Sequence, residues 1–380
     1  MKIAFFEDRY FEVYGAQENL LLLAEFVNND KIHSCEFITT WSGKLEETAK
    51  CRNLDVSIIE APESLRKFEK HAIRGGPIRM IRASILSLIY SLKVFKTLNS
   101  MDVDVIVISS IRASLLLTFT RIFGKQKTIM FAQNSTPFGI FSAFSLPGID
   151  FIGLISSGSR STFPEWAIRR HSGRIRDLAS GRDLTRFSHA VRERKDQSTR
   201  YVTVCSITKR KGLHVLLNAF KKLQAMVDDV VLDVVGGTSG EESEEYLIEL
   251  KNFVSTNNLT VNFLGWTDTN NVIQHLNNSD VFVLASENEG LPGVIIEAMA
   301  TGLPVISSDA GGCADAVADG VNGFIVPIGD ENALVERMKD LLDKHKRSQF
   351  GKTGRKIATE RYSVGAFSER FLKIIDEVKN

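Results

Sequence analysis

The sequence predicts an α/β protein made of two doubly wound domains. In both halves of the chain, short runs rich in Val, Ile and Phe alternate with longer stretches of helical periodicity. Runs such as VDVIVIS and VVLDVVG are almost wholly apolar, which is typical of strands buried on both faces of a parallel sheet. The length of 380 residues exceeds one ordinary domain and suits two of similar size.

The predicted strands fall into two series separated by helices, so each series should form right-handed βαβ units. They are residues 2–6, 35–39, 56–59, 103–109, 128–132 and 151–155 in the first half, and 201–205, 230–235, 260–264, 281–285, 304–307 and 323–326 in the second. The polar segment 189–200 is the predicted linker. We therefore expect an N-terminal domain at 1–190 and a C-terminal domain at 191–363, with a last helix at 364–380 that is able to pack back on the first domain.

Composition and charge argue against several classes of protein. The chain is 43% hydrophobic and 24% charged, with a net charge of +1. This balance supports buried cores and disfavours a general nucleic-acid binder. No apolar run is long enough for a transmembrane helix, and the four cysteines are scattered without a C-x-x-C pair. We expect reduced thiols in a cytoplasmic protein.

The segment DVFVLASENEGLPGVIIEAMATGLPVISSDAGG, residues 280–312, carries most of the functional information. Glu289 follows a predicted buried strand, and Glu297 lies in the predicted helix that comes next. Ligands bind at the carboxyl ends of strands in open parallel sheets, and a helix N-terminus there suits a phosphate. The two carboxylates can hold hydroxyls of a sugar and a ribose. The structural alternative is a helix N-terminal acid followed by a solvated helix acid.

Five segments together resemble the retaining glycosyltransferases of family 4, within glycosyl transferases group 1. One is the segment from Asp280 to Pro327. The other four are YGAQENLLLLAEF, RDLASGRDLTRF, SITKRKGLHVLLNAF and DGVNGFIVPIGDENAL, in the order and spacing of that family. The resemblance spans nearly the whole chain and is strongest from Arg174 onward. It implies the GT-B fold, in which two Rossmann-like domains face each other across a cleft. It also implies transfer of a sugar from a nucleotide diphosphate sugar, UDP- or GDP-linked, with retention.

The resemblance implies roles for the loop after the predicted strand 281–285. Glu289 would be the catalytic residue at the transferred sugar, and Glu297 would bind the ribose hydroxyls, because a carboxylate accepts two hydrogen bonds from a diol. Asn288, Gly290 and Leu291 would supply loop backbone contacts near the sugar.

The basic turn in SITKRKG is the second part of the donor site that the resemblance implies. Lys211 matches a phosphate-binding lysine, with Arg210 beside it, whereas Ser206 stands where relatives commonly carry an arginine. Either Lys209 or Arg210 compensates for the missing charge, or the donor binds weakly. The structural alternative is a solvated basic turn.

In the first domain the resemblance implies one phosphate-binding and two acceptor-side positions. Gly15 opens a helical pattern after the first strand, where a glycine lets backbone N–H groups approach a diphosphate; an ordinary turn residue is the alternative. Gln133, with Asn134 beside it, stands where relatives often carry a histidine. An amide can bind a sugar hydroxyl but cannot act as a general base.

Neither a metal ion nor a cofactor is expected. Lys211 and the helix N-terminus would neutralise the leaving diphosphate, which itself helps to deprotonate the acceptor in a front-face reaction. Asp102 and Asp104 form an Asp-x-Asp pair of the kind that binds manganese in another glycosyltransferase fold. They precede a predicted strand, which puts them at the wrong end of a sheet for a ligand site.

Residues 65–98 predict a basic, apolar helix pair that could lie on an anionic membrane surface. This region holds eight Lys and Arg residues against one acid, Glu69, and a second basic cluster follows at 160–176. The alternative is an ordinary amphipathic helix with a solvated basic face. We expect a growing cell-surface glycan or its lipid-linked precursor as the acceptor, and a cytoplasmic protein at the inner face of the membrane.

Two other functions stay open at this stage. One is a catalytically inactive homologue that acts as the partner subunit of another glycosyltransferase; Ser206 and Gln133 are the departures that favour it. The other keeps the fold and changes the chemistry, to a sugar epimerase or a phosphorylase.

Overall fold

A computed structural model describes residues 1–8, 13, 15–30, 33–66, 77–133, 142–187 and 198–379. Residues 189–197 of the predicted linker, and the domain boundary predicted at residue 190, lie outside these residues. The chain divides into two compact units. The first comprises Met1–Ile155, Ser159–Leu178 and Ser368–Asn380, and the second comprises Ser156–Gly158 and Ala179–Phe367.

The first unit contains a parallel sheet of seven strands in the order β3-β2-β1-β4-β5-β6-β7. The strands are β1 (Lys2–Glu7), β2 (Ser34–Thr39), β3 (Val56–Ile58), β4 (Val105–Ile108), β5 (Lys127–Ala132), β6 (Phe151–Leu154) and β7 (Ile175–Asp177). The helices are α1 (Gly15–Asn29), α2 (Lys44–Cys51), α3 (Glu63–Arg66), α4 (Pro77–Ser100), α5 (Ile111–Leu116), α6 (Thr118–Phe123), α7 (Ser142–Ser145) and α8 (Glu165–Arg170). Each of the six strands predicted for this half of the chain is present, while β7 was not predicted.

The second unit contains a parallel sheet of six strands in the order β10-β9-β8-β11-β12-β13. The strands are β8 (Thr199–Val204), β9 (Val230–Val235), β10 (Val261–Gly265), β11 (Val281–Leu284), β12 (Val305–Ser308) and β13 (Gly323–Val326). The helices are α9 (Leu213–Gln224), α10 (Glu241–Thr256), α11 (Thr269–Asn277), α12 (Gly293–Ala300), α13 (Cys313–Ala316), α14 (Glu331–Asp340), α15 (Lys344–Tyr362) and α16 (Val364–Lys379), which belongs to the first unit from Ser368 onward.

The central strands of both sheets are buried on both faces, as their apolar sequences predict. Ile3 to Phe6 in β1 and all of β11 are buried, because helices cover both faces of a doubly wound sheet. Within the described residues, no helix is both long and apolar enough to cross a membrane.

Both sheets reverse their strand order at one point, between β1 and β4 in the first and between β8 and β11 in the second. The connections on either side of such a point run in opposite directions, which leaves a crevice at the carboxyl ends of the two strands. Ligand-binding residues are therefore expected in the segments after β1, β4, β8 and β11. Asp104 lies at the opposite end, before β4, where its carboxylate accepts a hydrogen bond from the Lys2 backbone at 2.8 Å.

Candidate functional site

A buried ion pair joins the two strands at the reversal point of the second unit. Lys211 ends a short 3-10 helix that follows β8, and Glu289 lies in the loop after β11. The Lys211 Nζ atom lies 2.6 Å from Glu289 Oε1, and the two side chains are only 13% and 10% exposed. The structure therefore brings together the predicted phosphate-binding lysine and the predicted catalytic carboxylate.

Gly212 allows the basic turn to lie directly against the end of β11. Its φ of 63° lies in the left-handed region, and a Cβ atom there would be 2.0 Å from the Ala285 carbonyl oxygen. The Glu287 N–H donates to the Arg210 carbonyl at 2.9 Å and ties the same turn to the loop after β11. A side chain at position 212 would therefore push Lys211 away from Glu289.

Arg210 supplies a second positive charge to the loop after β11. Its guanidinium donates to the Asn288 carbonyl and lies 3.8 Å from Glu289 Oε2, while the side chain stays 52% exposed. Ser206 and Lys209 are exposed. Of the two candidates to compensate for Ser206, Arg210 is thus the one whose charged group reaches Glu289.

Two glycines after β12, Gly311 and Gly312, pack against the backbone of the Glu289 loop. A Cβ atom at Gly311 would lie 1.8 Å from the Glu289 carbonyl oxygen, and one at Gly312 would lie 2.0 Å from the Gly290 carbonyl oxygen. The segment DAGG therefore packs backbone against backbone with the loop. This supporting role was not predicted, although two adjacent glycines after a strand were a signal for such a close approach.

The other predicted loop residues differ in exposure. Asn288 is exposed, Gly290 is half-buried, and Leu291 is buried with 6% of its surface accessible. Pro292 then precedes α12; the Ile295 N–H donates to the Pro292 carbonyl at 3.1 Å, so the N–H groups that a helix start leaves without an internal partner are here those of Gly293 and Val294. The loop therefore leads from the Glu289 carboxylate to a helix N-terminus.

Glu297 lies in α12 beside Arg182, a residue for which no role was predicted. The Arg182 Nε atom is 3.8 Å from Glu297 Oε1. Burial raises the pKa of Glu297, while the nearby Arg182 charge lowers it. A Cβ atom at Gly293 would lie 2.5 Å from the Arg182 guanidinium, so a glycine at the start of α12 makes room for this arginine. The signal in the sequence was that Arg182 lies within RDLASGRDLTRF, one of the segments that carry the resemblance.

In the first unit, Gln133 binds to α1. It follows β5, and its Oε1 atom accepts a hydrogen bond from Asn19 Nδ2 at 2.6 Å. Its Nε2 atom donates to the Ala16 carbonyl at 3.0 Å. Both polar atoms of this amide thus bind to the first turns of α1. Gly15 is the first residue of that helix, and a Cβ atom added there would contact no other atom within 4 Å. The acceptor-side residue Asn134 lies outside the described residues.

A second polar cluster at the reversal point of the first unit was not predicted. Asp8, which follows β1 and is 1% exposed, lies 3.0 Å from Arg112 Nε and accepts a hydrogen bond from Ser110 Oγ at 2.8 Å. Glu7 is fully buried and accepts a hydrogen bond from Ser109. The apolar run of β1 ends in Glu-Asp, and that was the signal in the sequence.

The arrangement in the second unit can hold an anion and a polyol. Lys211, Arg210 and the N-terminus of α12 provide positive potential at one edge of the sheet, and Glu289 and Glu297 provide hydrogen-bond acceptors for hydroxyl groups. The described residues contain no cluster of three or more His, Cys, Asp or Glu side chains suited to a metal ion.

Sequence comparisons relate the chain to glycosyltransferases, and the family match falls within the second unit. Residues 185–357 match the family described as Glycosyl transferases group 1. The capsular polysaccharide biosynthesis glycosyltransferase CapM of Staphylococcus aureus is 35% identical over 161 residues, or 41% of this chain and 40% of CapM. A GDP-mannose-dependent alpha-(1-6)-phosphatidylinositol monomannoside mannosyltransferase of Mycolicibacterium smegmatis is 29% identical over 60% of this chain and 62% of its own length. The chain thus spans about 40% to 60% of such curated relatives.

Solved structures resemble the whole chain. HepE of Anabaena in complex with UDP aligns with a TM-score of 0.79 at 18% identity, covering 99% of this chain and 100% of HepE. The lipopolysaccharide outer core galactosyltransferase WaaB in its apo form aligns at 0.78 and 16% identity, covering 99% of each chain. This likeness confirms the predicted GT-B fold class, with its two Rossmann-like parallel-sheet domains. Residues 185–357 thus match the Glycosyl transferases group 1 family within a chain that has the GT-B fold.

Proposed function

We propose that this protein is a glycosyltransferase that moves a sugar from a nucleotide diphosphate sugar to an acceptor hydroxyl with retention. The observation that carries the proposal is the Lys211–Glu289 pair, with Arg210 beside it, at the reversal point of a group 1 domain. Support comes from a GDP-mannose-dependent enzyme among the sequence relatives and from a structural neighbour solved in complex with UDP. The donor is accordingly UDP- or GDP-linked.

The diphosphate of the donor binds to Lys211, Arg210 and the first N–H groups of α12. In the free protein Glu289 neutralises Lys211 at 2.6 Å. An arriving phosphate competes for the same ammonium group, and the exchange frees the Glu289 carboxylate to bind hydroxyls of the sugar. Glu289 thus keeps Lys211 in position before the donor binds, since an unpaired charge at this depth is costly.

Glu297 binds the ribose of the donor through its two carboxylate oxygens. Ionised Glu297 can accept hydrogen bonds from both ribose hydroxyls. Arg182, at 3.8 Å, offsets part of the cost of burying that charge. The predicted ribose site therefore extends to Arg182.

During transfer, the bond between the anomeric carbon and the β-phosphate oxygen breaks. The acceptor oxygen forms its bond to that carbon on the same face, and its proton passes to an oxygen of the departing diphosphate. Lys211, Arg210 and the helix N-terminus stabilise the charge that develops there. We propose that they do so without a metal ion or a cofactor. This route requires no base at Gln133, whose amide already holds α1.

The acceptor is a cell-surface glycan or its lipid-linked precursor, and the protein contacts the inner face of the membrane peripherally. Support comes from α4, part of the basic region 65–98, of which residues 67–76 lie outside the described residues. Ile85, Leu88, Ile89 and Leu92 follow helical spacing and are 52%, 46%, 63% and 39% exposed. This helix has no Asp or Glu residue, so all of its charged residues are cations.

The alternative is an inactive partner subunit of another glycosyltransferase. Two observations favour it: Ser206 replaces a common arginine, and the Gln133 amide is engaged within the first unit. In that case the site would bind a nucleotide without transferring a sugar.

Release of nucleoside diphosphate from a panel of UDP-, GDP- and ADP-sugars tests the proposal. The wild type should slowly hydrolyse one donor, with or without EDTA, and Glu289→Ala should not. Release that the Glu289→Ala variant retains would overturn the catalytic assignment. Saturable nucleotide binding without release, repeated in the presence of glycan and lipid-linked acceptors, would favour the partner-subunit function.

A further inference from the structure

A cationic pocket lies in the first unit, away from the segments that follow β1 and β4. It has a volume of about 650 Å³ and lies at the amino ends of β5, β6 and β7. Lys125, Lys127, Arg170 and Arg174 line it, together with one acid, Asp150. Because ligands of the sugar-transfer reaction belong at the carboxyl ends of parallel strands, the proposed function leaves this pocket without a role.

The positive charge of the pocket is largely uncompensated. Asp150 accepts a hydrogen bond from the Thr128 N–H at 2.9 Å and pairs with Lys127 at 3.3 Å. In the part of the chain that the structure describes, Lys125, Arg170 and Arg174 form no ion pair, and neighbouring Arg169 is the residue that pairs with Glu165. Three exposed cations therefore face a cavity whose only acid is already paired.

Arg121 adds a buried charge to the wall of the same pocket. It is 6% exposed, and its guanidinium donates to the carbonyls of Ser114, Phe144 and Pro147 rather than to a carboxylate. Burial lowers the pKa of Arg121 only to about 10, so it remains a cation at neutral pH. An anion in the pocket would therefore interact with a charge that the surrounding carbonyls solvate only partly.

Large apolar side chains are exposed next to this charge. Ile122 and Phe123 directly precede Gly124 and Lys125 of the pocket wall, and they are 54% and 67% exposed. Phe144 of α7 is also 67% exposed, and its carbonyl accepts a hydrogen bond from Arg121 at 2.9 Å. Apolar side chains beside a cationic pocket are suited to an interface between headgroups and acyl chains.

The charge is segregated along the sequence as well. Residues 70–101 and 105–149 contain no Asp or Glu, although the whole chain is nearly neutral. The α6 helix also packs beside α4, since the Phe119 N–H donates to Ser91 Oγ at 2.8 Å. The pocket and the exposed stripe of α4 thus belong to one acid-poor region of the first unit.

We propose that this pocket binds the phosphate headgroup of an anionic phospholipid, while Ile122, Phe123 and Phe144 enter the outer acyl region of the bilayer. The phosphate is held by Lys125, Arg170 and Arg174 at the surface, with Arg121 beneath them. The site is independent of the donor chemistry, and it positions the first unit on a membrane by a specific headgroup contact in addition to the apolar stripe.

Vesicle sedimentation tests this proposal. The full chain should bind vesicles that contain phosphatidylglycerol and bind phosphatidylcholine vesicles at least tenfold more weakly. The double variant Lys125→Glu/Arg174→Glu should lose at least tenfold in binding to the anionic vesicles. The matched control Lys44→Glu/Lys352→Glu, which makes the same charge change at two exposed lysines elsewhere, should lose less than threefold. An equal loss in both double variants would overturn a specific headgroup site.

A second pair of measurements separates a lipid from a soluble phosphate. Ile122→Ser/Phe123→Ser should weaken vesicle binding while leaving the response of the His171 ring resonances to inorganic phosphate unchanged, since His171 lines the pocket. Vesicle binding that is insensitive to this variant, combined with a phosphate response, would assign the pocket to a soluble phosphate and overturn the lipid proposal. Nucleoside diphosphate release should be the same in all of these variants, so a failure here leaves the proposed transfer reaction untouched.

Discussion

At the scale of single residues, the Lys211–Glu289 pair connects the two strands on which the proposed donor site depends. A buried ion pair contributes little net stability, because desolvation offsets the attraction. Its value lies in holding a cation where a phosphate can replace the carboxylate. Changing either residue should therefore impair ligand binding and transfer, and it should also lower stability because the remaining charge loses its partner.

Lys211→Ala should weaken binding of the nucleoside diphosphate about 10- to 150-fold, because one hydrogen bond to a charged group contributes roughly 1.5–3 kcal/mol. Lys209→Ala is the matched control, since Lys209 is an exposed lysine of the same short helix. It should change the affinity less than threefold. Isothermal titration calorimetry measures both values, and equal losses in the two variants would contradict a specific role for Lys211.

Glu297→Gln should change stability in a pH-dependent way. Burial raises the pKa of Glu297 in the folded protein, so ionising this group costs stability as the pH rises from the ordinary glutamate range, near 4.3, through the raised value. The glutamine variant avoids that cost. It should therefore have a higher Tm than the wild type above this window and the same Tm below it.

A control with the opposite sign is Glu331→Gln. Hydrogen bonding to Lys222 lowers the pKa of Glu331, so its ionised form stabilises the folded protein above the ordinary glutamate pKa. The variant should lose Tm at neutral pH, and the difference should disappear in acid. Melting curves between pH 3 and 8 follow both variants; a Tm difference for Glu297→Gln that does not vary with pH would argue against a raised pKa.

At the scale of elements, the site depends on how closely two loops approach. Gly311→Ala would combine a left-handed φ of 59° with a Cβ atom 1.8 Å from the Glu289 carbonyl oxygen. The backbone strain costs about 1–2 kcal/mol, and the overlap should add roughly 1–3 kcal/mol. The variant should also lose nucleoside diphosphate release, because the Glu289 loop must move.

Gly320→Ala is the matched control for that experiment. Gly320 has a similar φ of 71°, but no atom lies within 4 Å of its added Cβ. The Gly320→Ala variant should therefore lose only the free energy that corresponds to the backbone strain, and it should keep its activity. Urea denaturation gives the free energies of unfolding, and equal losses for the two variants would mean that the overlap with Glu289 has no energetic consequence.

At the scale of the whole molecule, the end of the chain completes the core of the first unit. The rings of Phe371 and Phe5 lie 5.9 Å apart between centroids, and both residues are fully buried. Arg176 pairs with Glu377 on the surface of the same unit. Residues at opposite ends of the sequence thus share one hydrophobic cluster.

Phe371→Ala should lower the free energy of unfolding of the first unit by about 3–5 kcal/mol, the usual cost of removing a buried phenylalanine. Glu377→Ala removes only an exposed ion pair and should cost at most about 1 kcal/mol. Calorimetric unfolding compares the two variants. A small effect of Phe371→Ala would show that the last helix contributes little to this core.

The sequence alone predicted the fold class because strands buried on both faces must be continuously apolar, and that pattern is local. It marked the twelve strands of the two main series but not β7, whose sequence IRD holds two charged residues in three positions. That strand is specified by its pairing with β6, where Ile152 faces Ile175. Glu289 and Glu297 were candidates because they stand after a predicted strand and in the helix that follows it, and the family resemblance implied their roles and that of Lys211.

Only the tertiary structure showed which candidates lie together. Lys211 and Glu289 are 78 residues apart, and their contact follows from the adjacency of β8 and β11 in the sheet. Three other contacts also join residues that are distant in the sequence: Arg182 with Glu297, Gly311 with the Glu289 loop, and the Gln133 amide with α1. Local propensity and burial are encoded residue by residue, so the elements can be predicted from sequence; a contact between distant segments depends on strand order and packing, which no local pattern specifies.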